Sequence, residues 1–153
     1  MKGYILDANI IFSGVLSQKV IYKKLFEENH FYIPDYALLE LSKYKQVILL
    51  KTKLKAKTLR DFTLHIFSRI TVVPDFLIST KSFTYAEKLC RDIDIKDSVY
   101  VALSIELDIM LLTRDKELFE GLKAKGFLNI ELFDNFINQS LNNPASVDPS
   151  KIT

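Results

Sequence analysis

The sequence predicts a single α/β domain in three layers, with a mainly parallel central sheet of about five strands flanked by helices. Short apolar runs of strand length alternate along the chain with longer stretches of helical periodicity, which is typical of this class. The chain has 153 residues and is 48% hydrophobic, so one domain of this length can bury a real core.

In the first half of the chain, three apolar runs predict strands. YIL precedes Asp7, FYI is halted by Pro34, and ITVV is halted by Pro74. Proline suits the first turn of a helix, so Pro34 is expected to open the next one. Helical spacing of apolar residues predicts helices at Val15 to Glu28, about Asp35 to Leu50, and roughly Lys53 to Ser68.

The second half adds two strands and further helices. The run IMLLT, Ile109 to Thr113, predicts a buried strand, and NIELF predicts an edge strand followed by a short helix. Periodicity ends at NNPASVDPSKIT, so residues 1–140 are assigned to one domain and residues 141–153 to a flexible tail. The predicted helices are Ser82 to Arg91, Asp94 to Leu107, and Asp115 to Lys125, the last ended by Gly126.

Composition excludes several classes of protein. Cys90 is the only cysteine, so an intrachain disulfide framework is excluded. The start of the chain has neither a basic leader nor the roughly 18 unbroken apolar residues of a membrane span. We therefore expect a cytoplasmic protein with no membrane association.

The net charge of +2 does not by itself indicate a nucleic-acid binder. However, KYKQVILLKTKLKAKTLR carries a basic cluster without any acid. This cluster is either a solvated helix face or a surface for the RNA backbone. Its members are Lys43, Lys45, Lys51, Lys53, Lys55, Lys57 and Arg60.

Acidic residues fall where the predicted strands end. Asp7 closes the first strand, and Asp115 comes just after IMLLT. Asp94 and Asp97 open the helix DIKDSVYVALSIEL, and Glu40 lies in the helix that follows the second strand. Ligands collect beyond the carboxyl ends of parallel strands, so these acids are expected to converge there.

Each acid except Asp7 also has a purely structural interpretation. Asp94 and Asp97 fit a helix N-cap and an acid in the first turn, Asp115 fits a first-turn acid, and Glu40 fits an exposed helix residue. Asp7 is different, because the end of a buried central strand is a poor place for an unpaired charge.

Converging carboxylates repel one another and raise their own pKa values, and a divalent cation relieves that repulsion. A set of oxygen ligands favours Mg²⁺ or Mn²⁺ over zinc. The two histidines, His30 and His65, lie elsewhere in the sequence and are expected to be surface or helix-packing residues.

Four segments, YILDANIIFSG, IPDYALLELSK, DIKDSVYVALSIEL and IMLLTRDKEL, cover nearly the whole chain in order. With them the sequence resembles the PIN-domain nucleases, and in size it resembles the VapC-like ribonuclease toxins of toxin–antitoxin pairs. The resemblance implies a PIN-like, Rossmann-like fold and metal-dependent hydrolysis of RNA. The implied catalytic residues and ligands of Mg²⁺ or Mn²⁺ are Asp7, Glu40, Asp97 and Asp115.

The resemblance also assigns supporting roles. Asp94 becomes an auxiliary metal ligand, and Asn9 and Thr113 become hydrogen-bonding supports, with Asn9 orienting the first acid. Ala8 stands where many relatives have a hydroxyl residue. Arg114 stands where many have a small one, and it is expected to contact a phosphate or a partner.

A cognate antitoxin that places an arginine or lysine against the carboxylates is implied by the same resemblance, as is a homodimer. Two other functions remain open. A PIN-like module that binds RNA or protein without cutting would need no intact acidic quartet. A phosphatase-type enzyme would use Asp7 as its nucleophile, but Asn9 lacks the second carboxylate for acid–base work.

Overall fold

Five parallel strands form one sheet in the order β3-β2-β1-β4-β5 in the computed structural model, which describes residues 2–51 and 56–142. The predicted α/β fold with a parallel sheet is confirmed, and β5 lies at an edge as predicted. The strands are β1 Gly3–Leu6, β2 His30–Pro34, β3 Ile70–Val73, β4 Leu111–Thr113 and β5 Ile130–Leu132.

Helices flank the sheet. Five successive residues of one of them, Tyr100–Ser104, are buried, so that helix lies within the core. Two 3₁₀ turns connect longer elements. Asp75–Leu77 follows the third strand, and Ile95–Asp97 leads into the helix that begins at Ser98. The helices of the described residues are α1 Ala8–Ser17, α2 Val20–Glu28, α3 Tyr36–Lys43, α4 Lys45–Lys51, α5 Ala56–Phe67, α6 Thr80–Cys90, α7 Ser98–Leu107, α8 Lys116–Ala124 and α9 Phe133–Asn142.

The chain between β1 and β2 forms two helices, so the prediction of a single helix from Val15 to Glu28 is wrong. The first, α1, begins directly after Asp7, whose carboxylate caps it. It ends at Gln18, where a left-handed φ of 49° turns the chain into α2. The β-branched Ile10 and Ile11 weaken the helical signal here, so the predicted helix begins too late, at Val15.

Two more boundaries differ from prediction. Pro34 ends β2 instead of opening a helix. Because β1 pairs with β2 only as far as Tyr32, the backbone N–H that Pro34 lacks is not needed for a hydrogen bond to β1. The helix predicted from Asp35 to Leu50 is broken at Tyr44, between α3 and α4. There the Tyr44 ring packs against Phe12, with 4.6 Å between the ring centroids.

The remaining predicted elements agree with the structure to within a few residues, with one change. The helix predicted to begin at Asp94 starts with the 3₁₀ turn, and α7 begins only at Ser98. Residues 143–153, most of the predicted tail, lie outside the described residues, as do residues 52–55. Within the described ranges, no helix has the length and apolar character needed to cross a membrane.

A carboxylate joins α6 to α7. Glu106 Oε2 accepts hydrogen bonds from the Ser82 hydroxyl at 2.5 Å and from the Ser79 hydroxyl at 2.8 Å. Ser82 is only 6% exposed, so its hydroxyl needs this acceptor. The hydrogen bonds from Ser82 and then Ser79 hold the pKa of Glu106 below its usual range.

We expect Glu106→Ala to lower the thermal midpoint at neutral pH, because the buried Ser82 hydroxyl loses its acceptor. The folded-state pKa of Glu106 is depressed. The ionised Glu106 therefore stabilises the folded protein fully above its unfolded-state pKa, and this stabilisation is lost as pH falls through the folded-state pKa. Thermal unfolding followed by circular dichroism should show that the difference in thermal midpoint between wild type and Glu106→Ala becomes smaller in acid. Glu87→Ala, on the exposed side of α6, is the control. A difference in thermal midpoint between wild type and Glu106→Ala that does not change with pH would contradict the prediction.

Candidate active site

The register of the central strands sets two acids side by side. Leu6 of β1 pairs with Leu112 of β4, so Asp7 lies one residue past the end of β1, level with Thr113. Asp115 follows two residues later. Both acids are helix N-caps: Asp7 begins α1 and Asp115 begins α8. They therefore lie where two parallel strands turn into helices, at the carboxyl edge of the sheet.

Two other helices bring the remaining acids to this edge. Glu40 lies in α3, directly beyond β2, and Asp97 lies in the 3₁₀ turn that leads into α7. Because α7 packs against β1 and β2, its amino end reaches the same region. Asp94 caps the 3₁₀ turn.

The acids affect one another electrostatically, as their predicted convergence requires. Burial raises the pKa of Asp7, and the charges of Glu40 and Asp115 raise it further. Burial is also the largest cause that raises the pKa of Asp97 to about 7, followed by the charges of Asp7, Asp94, Asp115 and Glu40. The structure thus places all five candidate acids in one electrostatic neighbourhood.

Each of four carboxylates is held through one oxygen by a donor of the chain itself. Asn9 N–H donates to Asp7 Oδ1 at 2.9 Å, Lys96 N–H to Asp94 Oδ1 at 2.9 Å, and Leu118 N–H to Asp115 Oδ1 at 3.0 Å. The Tyr100 hydroxyl donates a hydrogen bond to Glu40 Oε1. Within the described residues, the second oxygen of each carboxylate accepts no hydrogen bond.

Tyr100 is a residue that the sequence reasoning missed. It is 3% exposed, and its hydroxyl both donates to Glu40 and accepts from Ala8 N–H at 3.4 Å. It therefore ties the first turn of α1 to α3. Burial and the neighbouring Glu40 raise its pKa, so it stays a protonated donor. The available signal was its position three residues after Asp97, one helical turn along the same face.

The two predicted supports contact the acids in different ways. Asn9 meets Asp7 through its backbone N–H, while its side chain is exposed. Thr113 is fully buried, and its Oγ1 accepts a hydrogen bond from Asp115 N–H at 3.0 Å. Thr113 thus fixes the backbone of Asp115, and Asn9 fixes the carboxylate of Asp7.

The structure places the basic cluster on α3, α4 and α5. Lys43, Lys45, Lys57 and Arg60 are exposed, Lys51 ends α4, and Lys53 and Lys55 lie outside the described residues. Lys45 also lines an apolar groove of about 370 Å³ that runs between α1, α3, α4 and α5. This groove is formed by residues such as Phe12, Leu41, Ile48, Leu59 and Phe67.

The histidines lie away from the acids, as expected. His30 begins β2, at the opposite edge of the sheet, with Nε2 2.6 Å from Thr71 Oγ1. His65 lies in α5 with Nε2 3.3 Å from Glu27 Oε1.

The acids offer oxygen donors only, the set that Mg²⁺ and Mn²⁺ prefer. Among residues 2–51 and 56–142, no three Asp, Glu, His or Cys side chains are spaced to hold one ion at once. The donor chemistry and the charge of these acids fit a divalent cation, although their spacing in this structure is wider than one bound ion requires.

The structure shows an α/β domain with a cluster of acids at the carboxyl ends of parallel strands, the edge at which such sheets usually bind ligands. A family model described as PIN domain matches residues 5–134. The chain therefore belongs to the PIN-domain family, as the sequence predicted. PIN domains are generally nucleases, and PIN-domain nucleases generally use divalent metal ions.

The chain is similar in fold to solved structures that include the following two proteins. PAE2754 from Pyrobaculum aerophilum matches with a TM-score of 0.59 and 14% identity, over 92% of this chain and 96% of that one. VapBC2 from Rickettsia felis, in a crystal structure bound to a DNA fragment from its promoter, gives a TM-score of 0.53 and 21% identity, over 85% and 96%. A comparison with curated proteins gives no match.

We expect Tyr100→Phe to lower the free energy of unfolding by about 1 to 3 kcal/mol, because Ala8 N–H and Glu40 lose a partner inside the fold. Urea denaturation measures this value. Tyr85→Phe, on a side chain that is 46% exposed, is the matched control and should stay within about 0.5 kcal/mol of wild type. Equal stability of the two variants would show that the Tyr100 hydroxyl does not hold the site together.

Proposed function

We propose that this protein is a Mg²⁺- or Mn²⁺-dependent endoribonuclease in which Asp7, Glu40, Asp97 and Asp115 are the catalytic and metal-binding residues. The observation that supports the proposal is the meeting of acids from four segments at the ligand-binding edge of a PIN-family sheet. Asp94 is the auxiliary ligand in this proposal.

The chain's own residues prepare the carboxylates. Hydrogen bonds to one oxygen of Asp7, Glu40 and Asp115 fix their orientation and leave the other oxygen for a ligand. Burial and then the neighbouring acids raise the pKa of Asp97 to about 7, so a nearby positive charge would favour its ionised form. A bound Mg²⁺ or Mn²⁺ ion supplies a water of lowered pKa and stabilises negative charge on the phosphate.

The RNA-binding surface proposed for the basic cluster rests on exposed side chains. Lys43, Lys45, Lys57 and Arg60 carry positive charge on neighbouring helices, and such charge attracts the RNA backbone without reading its sequence. Asp61, the residue directly after this stretch, lies with Oδ1 3.5 Å from Arg60 Nε, so part of that positive charge is compensated.

The proposal also includes a role as a toxin that is bound by a protein antitoxin. It is supported by the likeness to VapBC2 and by the apolar groove, whose Leu38 and Leu49 are substantially exposed. An antitoxin segment with apolar residues would cover this groove, and a basic residue beyond it would meet the acids. A homodimer remains a further expectation from the same family resemblance.

The test of the nuclease proposal is cleavage of a mixed single-stranded RNA pool by purified protein with Mg²⁺ or Mn²⁺. Cleavage should stop with EDTA. Asp7→Asn and Asp97→Asn should each reduce it by more than the roughly 10- to 100-fold that loss of a residue supporting a metal ligand costs. Gel electrophoresis of end-labelled RNA measures the rates.

Asp108→Asn is the matched control for this experiment. It removes one carboxylate from the far end of α7, at a left-handed position that asparagine also accepts, so cleavage should be retained. If wild type binds RNA and cuts nothing under either metal, the non-catalytic module replaces this proposal. Release of phosphate from a monoester that needs Asp7 would favour the phosphatase instead.

A further inference from the structure

A second cavity lies next to Asp115, at the carboxyl ends of β4 and β5. Its volume is about 260 Å³, and its charged and polar lining comes from Arg114, Lys116, Asp134 and Asn135. Arg114 and Lys116 flank Asp115 in sequence, so two cations lie on either side of a proposed metal ligand. Thr113 also lines the cavity, and its Oγ1 accepts a hydrogen bond from Asp115 N–H, so one residue contacts both the cavity and the backbone of a proposed metal ligand.

Arg114 is held in place by aromatic residues. Its Nη2 donates to the Tyr22 hydroxyl at 2.6 Å, and its guanidinium carbon lies 5.1 Å from the centre of the Phe133 ring. Both rings are buried and stack on each other at 6.0 Å between centroids. Tyr22 is fixed in turn against Gly14, where an added Cβ would lie 2.8 Å from the Tyr22 ring.

This arrangement leaves donors for a ligand. A guanidinium has five N–H donors, and in the described part of the chain Tyr22 accepts the one hydrogen bond that Arg114 makes. Asp134 Oδ1 lies 3.9 Å from Arg114 Nε, and its side chain is largely exposed, so this ion pair is weak and easily exchanged. An anion in the cavity would replace Asp134 as the partner of Arg114.

We propose that this cavity binds a phosphate of the substrate RNA next to the bond that is cut, with Arg114 as its ligand and Tyr22 as the residue that positions Arg114. The proposal rests on the proposed nuclease function. A planar, preoriented guanidinium binds phosphate through two parallel hydrogen bonds, and Lys116 adds a second charge. Phosphate is favoured over an acidic protein side chain because the adjacent site is itself proposed to act on a phosphodiester.

The test compares wild type with Arg114→Ala, Arg114→Lys and Tyr22→Phe in cleavage of one single-stranded RNA oligonucleotide. Arg114→Ala should raise KM about tenfold and change kcat little, and Arg114→Lys should restore only part of the loss. Tyr22→Phe keeps the ring and removes only the hydroxyl, so it should raise KM by a smaller factor. Arg69→Ala, at the opposite edge of the sheet before β3, is the control.

Binding separates this proposal from the nuclease proposal. In an Asp97→Asn background, fluorescence anisotropy with the labelled oligonucleotide should show that Arg114→Ala reduces the slope of log affinity against log salt by about 0.7, the value for one phosphate contact on a single strand. A purely structural role would leave that slope unchanged.

Each result decides one of the two proposals. If wild type cuts RNA and Arg114→Ala behaves like Arg69→Ala in KM and salt slope, the phosphate site is overturned and the nuclease stands. If nothing is cut but the Arg114-dependent slope remains, the phosphate site stands and the nuclease fails. If poly-glutamate competes with RNA as well as an equal-length RNA does, and needs Arg114, the cavity binds an acidic partner instead.

Discussion

The parallel pairing of β1 with both β2 and β4 is the constraint on which the site depends. It makes β1 the central strand and sends three strands to the same edge of the sheet. Each of these strands turns almost at once into a helix: α1, α3 and α8 begin within three residues of their strands. Three helix amino ends therefore face this edge, and their partial positive charge favours anionic groups there. The acids occupy the place where the backbone best tolerates them.

Helix ends offset only part of the cost of grouping these acids. Burial and mutual repulsion still raise the pKa values of Asp7 and Asp97, which means that their charged forms are unfavourable in the folded protein. Backbone N–H groups and the Tyr100 hydroxyl hold single oxygens of the neighbouring acids, so the carboxylates stay oriented despite the repulsion. Replacing one of these acids by a neutral residue would relieve the repulsion between carboxylates, so stability alone does not account for the cluster. That unrelieved repulsion is what a divalent cation would remove.

The sequence was sufficient to predict the order of elements, the parallel sheet and the convergence of the acids, because strand-length apolar runs and strand-end acids are local patterns. It was insufficient where local signals were ambiguous. The run after Asp7 contains β-branched isoleucines that weaken its helical signal, yet it forms α1, which the Asp7 side chain caps. The predicted helix is broken at Tyr44 without a glycine or proline, where the Tyr44 ring packs against Phe12 of α1. Tyr100 donates to Glu40, 60 residues away in sequence, and its position three residues after Asp97 does not identify that partner.

A positive side chain lies directly beside the acids, and its position follows from the tight turn after β4. Between Thr113 and α8 the chain has two residues, Arg114 and Asp115, so a cation and an acid must leave the same turn in different directions. The acid caps α8, while the arginine extends toward Tyr22 and Phe133 on α2 and α9. A strand of RNA presents a series of phosphates, and it needs attraction at one position and metal-assisted chemistry at the next. In the proposed nuclease, the turn supplies the attraction through Arg114 and the metal ligand through Asp115, two adjacent residues that leave it in different directions.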